Sequence, residues 1–350
     1  MIPTAFDGPI VFAYFPGGES IFTCAILGAF NSDLVTFGAG HIDLNNTTLA
    51  LANKGLFAVA VSSNYPFPSL VMGLDLSSPL KPVLGSSPSL PGGGVLVPRD
   101  VAIGLDDSYA LALCGEYAIG YTDMKIVPVS LVSPLSPSPG TPVSIGSGQA
   151  NQLVIAPNGS FGLVLYHDLS AAPLVLPLNL SDPTAPVPGT AAAIGGPYGT
   201  SQLTIAPNSL SGLVTNSVAD AAIYTLDLTN PLVPIPHLVS LSYCTPLYAA
   251  YQPGGEYALT LNVSPVNTVS MLYFGPPFSA LAPSVIWTIT LDQLPASVGF
   301  SPDGSFAVVA QVADGYSQLT LLDTSNPFVP AVGATVPYSV PPYNMKLFWR

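Results

Sequence analysis

The chain has 350 residues, of which only 7% are charged and 49% are hydrophobic, and its formal net charge is −13 from 19 acidic and 6 basic residues. So few basic residues argue against binding to a nucleic-acid backbone or to an anionic membrane surface. The sequence contains no apolar run of about 18 residues or more, so no membrane span is predicted.

The chain begins with Met-Ile-Pro-Thr-Ala-Phe-Asp-Gly, which has neither the basic start nor the apolar centre of a signal peptide. From there one pattern recurs: an apolar alternating run, a turn rich in Pro, Gly, Asn or Asp, and a second alternating run. Pro presets φ for a turn and Gly, Asn and Asp accept positive φ, so each copy predicts a β-hairpin. The copies cover residues 11–23, 49–61, 101–113, 153–165, 203–213, 249–261 and 298–309.

The turns fall at residues 16, 53, 105, 157, 207, 253 and 302, and successive differences give steps of 37, 52, 52, 50, 46 and 49. A second motif keeps this period: an apolar strand, Asp or Asn, then Ser or Thr, then two prolines spaced by three. Pro cannot sit in a central strand, so this motif predicts a rigid connection between the third and fourth strands. Its first polar residue is predicted to cap the following turn structurally. The motif occurs at 74–82, 178–186, 226–234 and 322–330, with a variant at 129–137, and its capping residues are Asp75, Asn179, Asp227 and Asp323.

A period near 50 residues with four short strands is typical of a propeller blade, here meaning one four-stranded sheet. We therefore predict an all-β chain forming a single β-propeller over residues 1–350, with seven four-stranded blades. The apolar run Met345–Trp349 is expected to close the ring by pairing with the short first blade, or alternatively to dock on a partner or a neighbouring copy. The predicted blades are 8–46, 47–98, 99–148, 149–197, 198–245, 246–293 and 294–340, with a closing strand at 341–350.

The two motifs also resemble known repeats over roughly residues 47–340. The connection around Asn326 resembles the LVIVD repeat, and residues 301–309, Ser-Pro-Asp-Gly-Ser-Phe-Ala-Val-Val, resemble the YVTN-type repeat. Both resemblances imply a β-propeller. They imply little about function, because such propellers include surface and adhesive proteins, binding modules and some lactonase-like enzymes.

Candidate site residues come from the loops between second and third strands and from the loops between blades, which meet on one face around the central channel. Aromatic and polar side chains there suit contact with a sugar or a peptide, although exposed loops without a ligand are the simpler explanation. The candidates are Asn64, Tyr65, Phe67, Glu116, Tyr117, His167, Asp168, Asp220, Asp314 and Tyr316, with Arg99 from a loop between blades.

Motifs for chemistry are absent from the sequence, so no catalytic residue, metal site or cofactor is predicted. His41, His167 and His237 lack metal-ligand spacing, and no nucleophile or phosphate-binding motif is present. The pair Asp106-Asp107 occupies a hairpin-turn position, which favours turn chemistry over a metal site. The three cysteines, Cys24, Cys114 and Cys244, are expected to be mainly buried free thiols.

These observations favour a non-enzymatic structural or interaction protein, extracellular or on a cell or particle surface, and self-assembling into a homo-oligomer or polymer. Low charge fits either a neutral, protease-resistant extracellular surface or a surface that is partly covered by other copies or by a protein partner. Two alternatives stay open. One is a carbohydrate- or peptide-binding module that uses the loop face, and the other is a lactonase-like enzyme that uses the central channel.

Overall fold

The structure is a computed structural model that describes residues 9–14, 21–26, 35–40, 47–53, 57–62, 68–77, 83–92, 96–116, 122–168, 173–195, 200–216, 222–241, 245–275, 282–313, 316–338 and 344–349. All regular secondary structure in these residues is β-strand, so the predicted all-β class is confirmed. No helix in this part of the chain is long and apolar enough to cross a membrane.

The described strands are short and follow one another closely. In chain order they are β1 (Pro9–Tyr14), β2 (Ile21–Ile26), β3 (Val35–Gly40), β4 (Thr47–Leu51), β5 (Phe57–Ser62), β6 (Leu70–Asp75), β7 (Val83–Leu84), β8 (Leu96–Ile103), β9 (Tyr109–Glu116), β10 (Thr122–Ser130), β11 (Ser138–Pro139), β12 (Val143–Ile155), β13 (Phe161–His167), β14 (Pro173–Asn179), β15 (Val187–Pro188), β16 (Ala192–Ala193), β17 (Thr200–Ile205), β18 (Ser211–Asn216), β19 (Ala222–Asp227), β20 (Ile235–Ser240), β21 (Thr245–Tyr251), β22 (Tyr257–Val263), β23 (Thr268–Tyr273), β24 (Ser284–Thr290), β25 (Leu294–Phe300), β26 (Phe306–Ala313), β27 (Tyr316–Asp323), β28 (Ala331–Tyr338) and β29 (Asn344–Trp349).

These strands form antiparallel sheets with simple up-and-down order. Five sheets are four-stranded: β29-β1-β2-β3, β4-β5-β6-β7, β17-β18-β19-β20, β21-β22-β23-β24 and β25-β26-β27-β28. A nine-stranded sheet runs β8-β9-β10 and β12-β13-β14-β15, with β11 and β16 pairing at its sides. The long strand β12 joins its two halves, because residues 143–148 pair with β10 and residues 149–155 pair with β13.

The first strands of successive sheets contact one another in a closed ring. The sequence of contacts is β4, β8, β12, β17, β21, β25, β29 and back to β4. Strand β29 pairs antiparallel with β1 from Pro9↔Trp349 to Tyr14↔Asn344. The predicted closure of the ring by the C-terminal segment is therefore confirmed, and the sheets form a β-propeller. The ring supports the predicted seven blades, although that count and the blade boundaries stay predictions.

One repeat copy was placed in the wrong phase by the sequence pattern. The turn at residue 16 lies between β1 and β2, which are the second and third strands of their sheet because β29 is the first. By contrast, the turn at residue 53 joins β4 and β5, the first and second strands. The first step of 37 residues is short because the first strand of that sheet comes from the other end of the chain.

The core lies between adjacent sheets, which pack face to face around the ring. Second strands are buried on both faces, as in β13, where every residue is buried. Leu111 and Leu113 of β9 pack in one cluster with Val164 and Leu178 from the following strands. Each such buried side chain contributes about 1.5–3 kcal/mol relative to exposure to water. The near-continuous apolar runs in the sequence follow from this two-sided burial.

The turn chemistry expected from the sequence is present. Gly159 and Gly304 adopt φ of 71° and 69° in the hairpin turns, where an L side chain would be strained. Asp75 and Asp323 accept the backbone N–H of Ser77 and Ser325 at 2.8 and 2.9 Å. The backbone N–H of Ser77 lowers the pKa of Asp75, and the hydroxyl of Ser325, followed by its backbone N–H, lowers the pKa of Asp323. Asn179 and Asp227 accept equivalent bonds, so the motif carboxylates and amide are structural caps.

The pair Asp106-Asp107 also belongs to turn chemistry. Asp106 accepts hydrogen bonds from the backbone and the hydroxyl of Ser108 at 3.0 and 2.8 Å. Asp107 has φ of 63° and accepts from the backbone and side-chain nitrogens of Asn53 at 2.8 and 2.9 Å. Both carboxylates therefore accept hydrogen bonds from turn residues. The bonds that Asp107 accepts from Asn53 connect its blade to the preceding one.

Candidate functional site

The first strands of five successive units carry a β-bulge close to the residue where their pairing with the second strand begins. In β8 the register shifts between Pro98 and Asp100, so Arg99 is the extra residue. Bulges leave one residue outside the ladder and re-aim its side chain, and they are frequent beside functional sites. Because the first strands contact one another in a ring and the bulges fall at equivalent positions of the repeat, we infer that the bulged residues surround one end of the channel, and we call this set of residues the channel mouth. The bulged residues are Arg99, Asn151, Ser201, Leu247 and Ala296.

The residue after three of these bulges fixes the neighbouring first strand. Asp100 Oδ2 accepts from Leu153 N at 2.9 Å in the next unit. Gln152 accepts from Leu203 N at 2.7 Å and donates to Leu203 O at 3.1 Å. Gln202 Oε1 accepts from the backbone of the following unit at 2.7 Å. The bulged residues are therefore held on a rigid frame, as a binding or catalytic site requires.

A polar pair lies at the bulge of β12. The amide nitrogen of Asn151 lies 3.0 Å from Nδ1 of His167, the last residue of β13. Burial lowers the pKa of His167, and neighbouring Asp168 acts in the opposite direction. The imidazole is therefore neutral at neutral pH. With Nδ1 accepting from the amide, the ring proton is on Nε2, so His167 presents a hydrogen-bond donor.

Arg99 supplies positive charge at the channel mouth. Its side chain is exposed, and it lies in β8 itself, whereas the sequence placed it in a loop between blades. Arg99 also lies close enough to Cys114 for its charge to influence the pKa of the thiol. Burial raises the pKa of Cys114 to about 12 and Arg99 has the opposite, smaller effect. Cys114 is a buried free thiol without nucleophilic character at neutral pH.

Five of the sequence-predicted site residues fall within the described chain. His167 ends β13 with Asp168 directly after it, and Arg99 lies at the bulge of the preceding unit. Glu116 ends β9 and Tyr316 begins β27, which puts their backbones at the predicted connections between second and third strands. Tyr65, Phe67, Tyr117, Asp220 and Asp314 lie outside the described residues, as does Asn64.

The sequence reasoning missed the polar residues that follow the bulges and join neighbouring first strands, and it missed Asn151. Asp100, Gln152 and Gln202 each stand five residues before a hairpin turn, at 105, 157 and 207. A polar residue that recurs at the same distance from the turn in three repeats could have been used to predict contacts between blades. The bulged residue Asn151 shows no such regularity, because the five bulged residues differ in chemistry. Within the described ranges no group of three or more His, Cys, Asp or Glu could hold a metal ion.

Comparison with known proteins supports the β-propeller fold. No family model and no curated protein matches the chain. A candidate 6-phosphogluconolactonase from Bacteroides fragilis is similar, with TM-score 0.72, 12% identity, and 99% of each chain covered. The periplasmic gluconolactonase of Pseudomonas aeruginosa has TM-score 0.70 and 14% identity, covering 97% of this chain and 98% of its own. The β-propeller domain of Cps50 from Myceliophteria thermophila has TM-score 0.58 and 12% identity, covering 89% of this chain and 95% of its own.

These comparisons correct the main functional expectation from the sequence. At such low identity a likeness shows the fold alone, but several of the structures it reaches over nearly the whole chain are named as lactonases. The preference for a non-enzymatic structural or interaction protein is therefore wrong, and the comparisons favour the lactonase-like alternative. A missing sequence motif was a poor guide, because a propeller assembles its site from single residues on separate blades. In fold, the chain is a β-propeller like these lactonases.

Proposed function

We propose that this protein is a lactonase-like hydrolase that opens a small sugar-derived lactone at the channel mouth. The observation that carries the proposal is the neutral His167, held by Asn151 at a bulge adjoining the bulge of Arg99. A fixed donor and a cation in adjoining units are the groups that stabilise a developing oxyanion. The fold shared with a 6-phosphogluconolactonase and a gluconolactonase supports the same reaction class.

The reaction assigns one role to each side chain. The Nε2–H of His167 polarises the lactone carbonyl, as a neutral imidazole can. Water adds to the carbonyl carbon and gives its proton to Asp168, and Arg99 stabilises the oxyanion. The ring C–O bond then breaks, and the departing alkoxide takes the proton from Asp168. The carboxylic acid of the open-chain product then releases its proton to solvent, and the resulting carboxylate faces the Arg99 guanidinium.

An unphosphorylated lactone fits this site better than a phosphorylated one. The chain carries a net charge of −13 and contains only 6 basic residues. Of these, Arg99 in β8 and Lys346 in β29 are on first strands. A phosphate monoester carries nearly two negative charges and is normally bound by several donors and cations. We therefore expect glucono-δ-lactone to be hydrolysed faster than its 6-phosphate.

Initial rates of glucono-δ-lactone hydrolysis, followed by pH-stat above the spontaneous rate, test the proposal. Arg99→Met removes the cation with little change in length and should lower kcat/KM by about 10²–10³, the usual effect of losing one oxyanion donor. Lys125→Met is the matched control, because Lys125 is in the same unit and pairs with Asp123 at 3.6 Å. Wild-type rates equal to the spontaneous rate, or an Arg99→Met enzyme as active as Lys125→Met, would contradict the proposal.

Several finer expectations accompany this function as proposals. The LVIVD- and YVTN-type assignment of the repeats rests on the motifs alone. Extracellular or cell-surface localisation, association into homo-oligomers, and binding of a carbohydrate or protein ligand on the loop face likewise stay predictions.

A further inference from the structure

A cleft of about 540 Å³ lies between the outer parts of two adjacent sheets, away from the bulged first strands. One side is formed by Ser240 and Leu241 at the end of β20. The other is formed by β23, β24 and the segment that precedes β23. No charged residue is among the described residues that line it, and this volume is in the usual range for a small-molecule site.

Four hydroxyl side chains form a regular grid on one wall of the cleft. In the antiparallel pair β23–β24, Thr268 is opposite Thr290 and Ser270 is opposite Thr288. Residues two apart point to the same face of a strand, and directly opposed residues have Cβ atoms about 4.5–5.5 Å apart. All four residues line the cleft, so the grid faces its interior.

A bulge completes this wall with an apolar side chain. Val285 and Thr288 are three residues apart, which in a regular strand puts their side chains on opposite faces. The register shifts between Met271 and Leu272, so one extra residue is accommodated in β24 and Val285 joins the hydroxyl face. The cleft therefore combines a row of hydroxyls with apolar patches at Val285 and Pro265.

A buried amide orients the hydroxyls from behind. Asn262 is fully buried, and its Nδ2 donates to Thr268 Oγ1 at 3.1 Å and to Ser270 Oγ at 3.0 Å. Ser270 Oγ lies 2.9 Å from Thr288 Oγ1. Since a hydroxyl oxygen can accept two hydrogen bonds, either Ser270 or Thr288 can be the donor in this contact. The amide holds the hydroxyl oxygens of Thr268 and Ser270 in place and leaves the hydroxyl hydrogens of the grid able to rotate toward a ligand.

We propose that this cleft is a second binding site, separate from the channel mouth, for an uncharged hydroxyl-rich small molecule of sugar size. The hydroxyls of the grid can donate to and accept from the oxygens of a sugar or polyol, and the apolar patches match its C–H surfaces. The absence of charge among the described lining residues disfavours ionic ligands, since a buried charge needs a partner.

Saturation-transfer NMR with glucose, galactose, N-acetylglucosamine and maltose, each in the millimolar range, tests the site. At least one sugar should bind the wild type, and glucuronate should bind more weakly. Thr288→Val removes one hydroxyl isosterically and should weaken binding roughly 2- to 10-fold, the effect of one hydrogen bond. Thr335→Val is the matched control, because Thr335 is an exposed outer-strand threonine that faces Thr320 in another sheet.

Three outcomes would overturn the proposal. The first is that no sugar in the panel binds the wild type. The second is that Thr288→Val binds as well as Thr335→Val does, with both variants melting at the wild-type temperature. The third is that binding is lost in Arg99→Met and retained in Thr288→Val, which would assign the sugar to the channel mouth. If Thr288→Val melts lower, Ser270→Ala tests the same chain of hydroxyls with a smaller change.

Discussion

At the scale of single residues, His167 links the candidate site to stability. Burial lowers its pKa, so the folded protein binds its proton more weakly than the unfolded chain does. The stability that this residue contributes is complete above the unfolded histidine pKa of about 6.5 and is lost as the pH falls toward the folded value. Protonation also breaks the hydrogen bond from Asn151 to Nδ1.

We therefore predict that the melting temperature falls between pH 7.5 and pH 5.5, and that His167→Gln reduces this fall. His237→Gln is the control, because it removes a histidine from the outer strand β20 without changing the channel mouth. Thermal unfolding followed by circular dichroism at both pH values measures the difference. Equal falls in the wild type and in His167→Gln would show that the imidazole is not held neutral by the fold.

The sequence could nominate Arg99 and His167 but could not pair His167 with Asn151. Those two residues are 16 positions apart and meet only because β12 and β13 are neighbouring strands with a bulge between Ala150 and Gln152. A bulge depends on how a strand pairs with its neighbour, and no short sequence motif predicts it. Turn residues were easier to predict, because Gly159 and Gly304 are required by backbone conformation within their own turns.

At the scale of strands, β29 is the element on which ring closure depends. It pairs with β1 over six residues and contacts β25 and β4, the first strands on either side. Deleting residues 344–350 should leave the edge of β1 unpaired and open the ring. Losing several ladder hydrogen bonds at about 0.5–1.5 kcal/mol each should lower the free energy of unfolding by at least about 3 kcal/mol.

Urea unfolding measures this loss, and a chain lacking only Arg350 is the control. A broad, non-cooperative transition in the longer deletion would agree with an opened ring. An unchanged midpoint would mean that the segment does not complete the first sheet. The alternative that Met345–Trp349 docks on a partner predicts that unchanged midpoint, so the two interpretations give opposite results.

At the scale of the whole molecule, the fold could largely be predicted from the sequence and the function could not. Two motifs that repeat with the same period predicted four-stranded sheets in a ring, because every blade needs the same turns and the same packing against its neighbours. Function in a propeller depends on which few side chains reach the channel from different blades. The repeat pattern does not carry that information, and the absence of a catalytic motif was wrongly interpreted as a sign of a non-enzymatic protein.

A crystal structure with gluconate, the product of glucono-δ-lactone opening, tests the central claim most directly. We predict a closed propeller with gluconate at the channel mouth, its carboxylate within hydrogen-bonding distance of the Arg99 guanidinium and one hydroxyl near His167. Binding of gluconate only elsewhere on the protein, or a channel mouth in which Arg99 and His167 face away from the axis, would contradict a lactonase-like site.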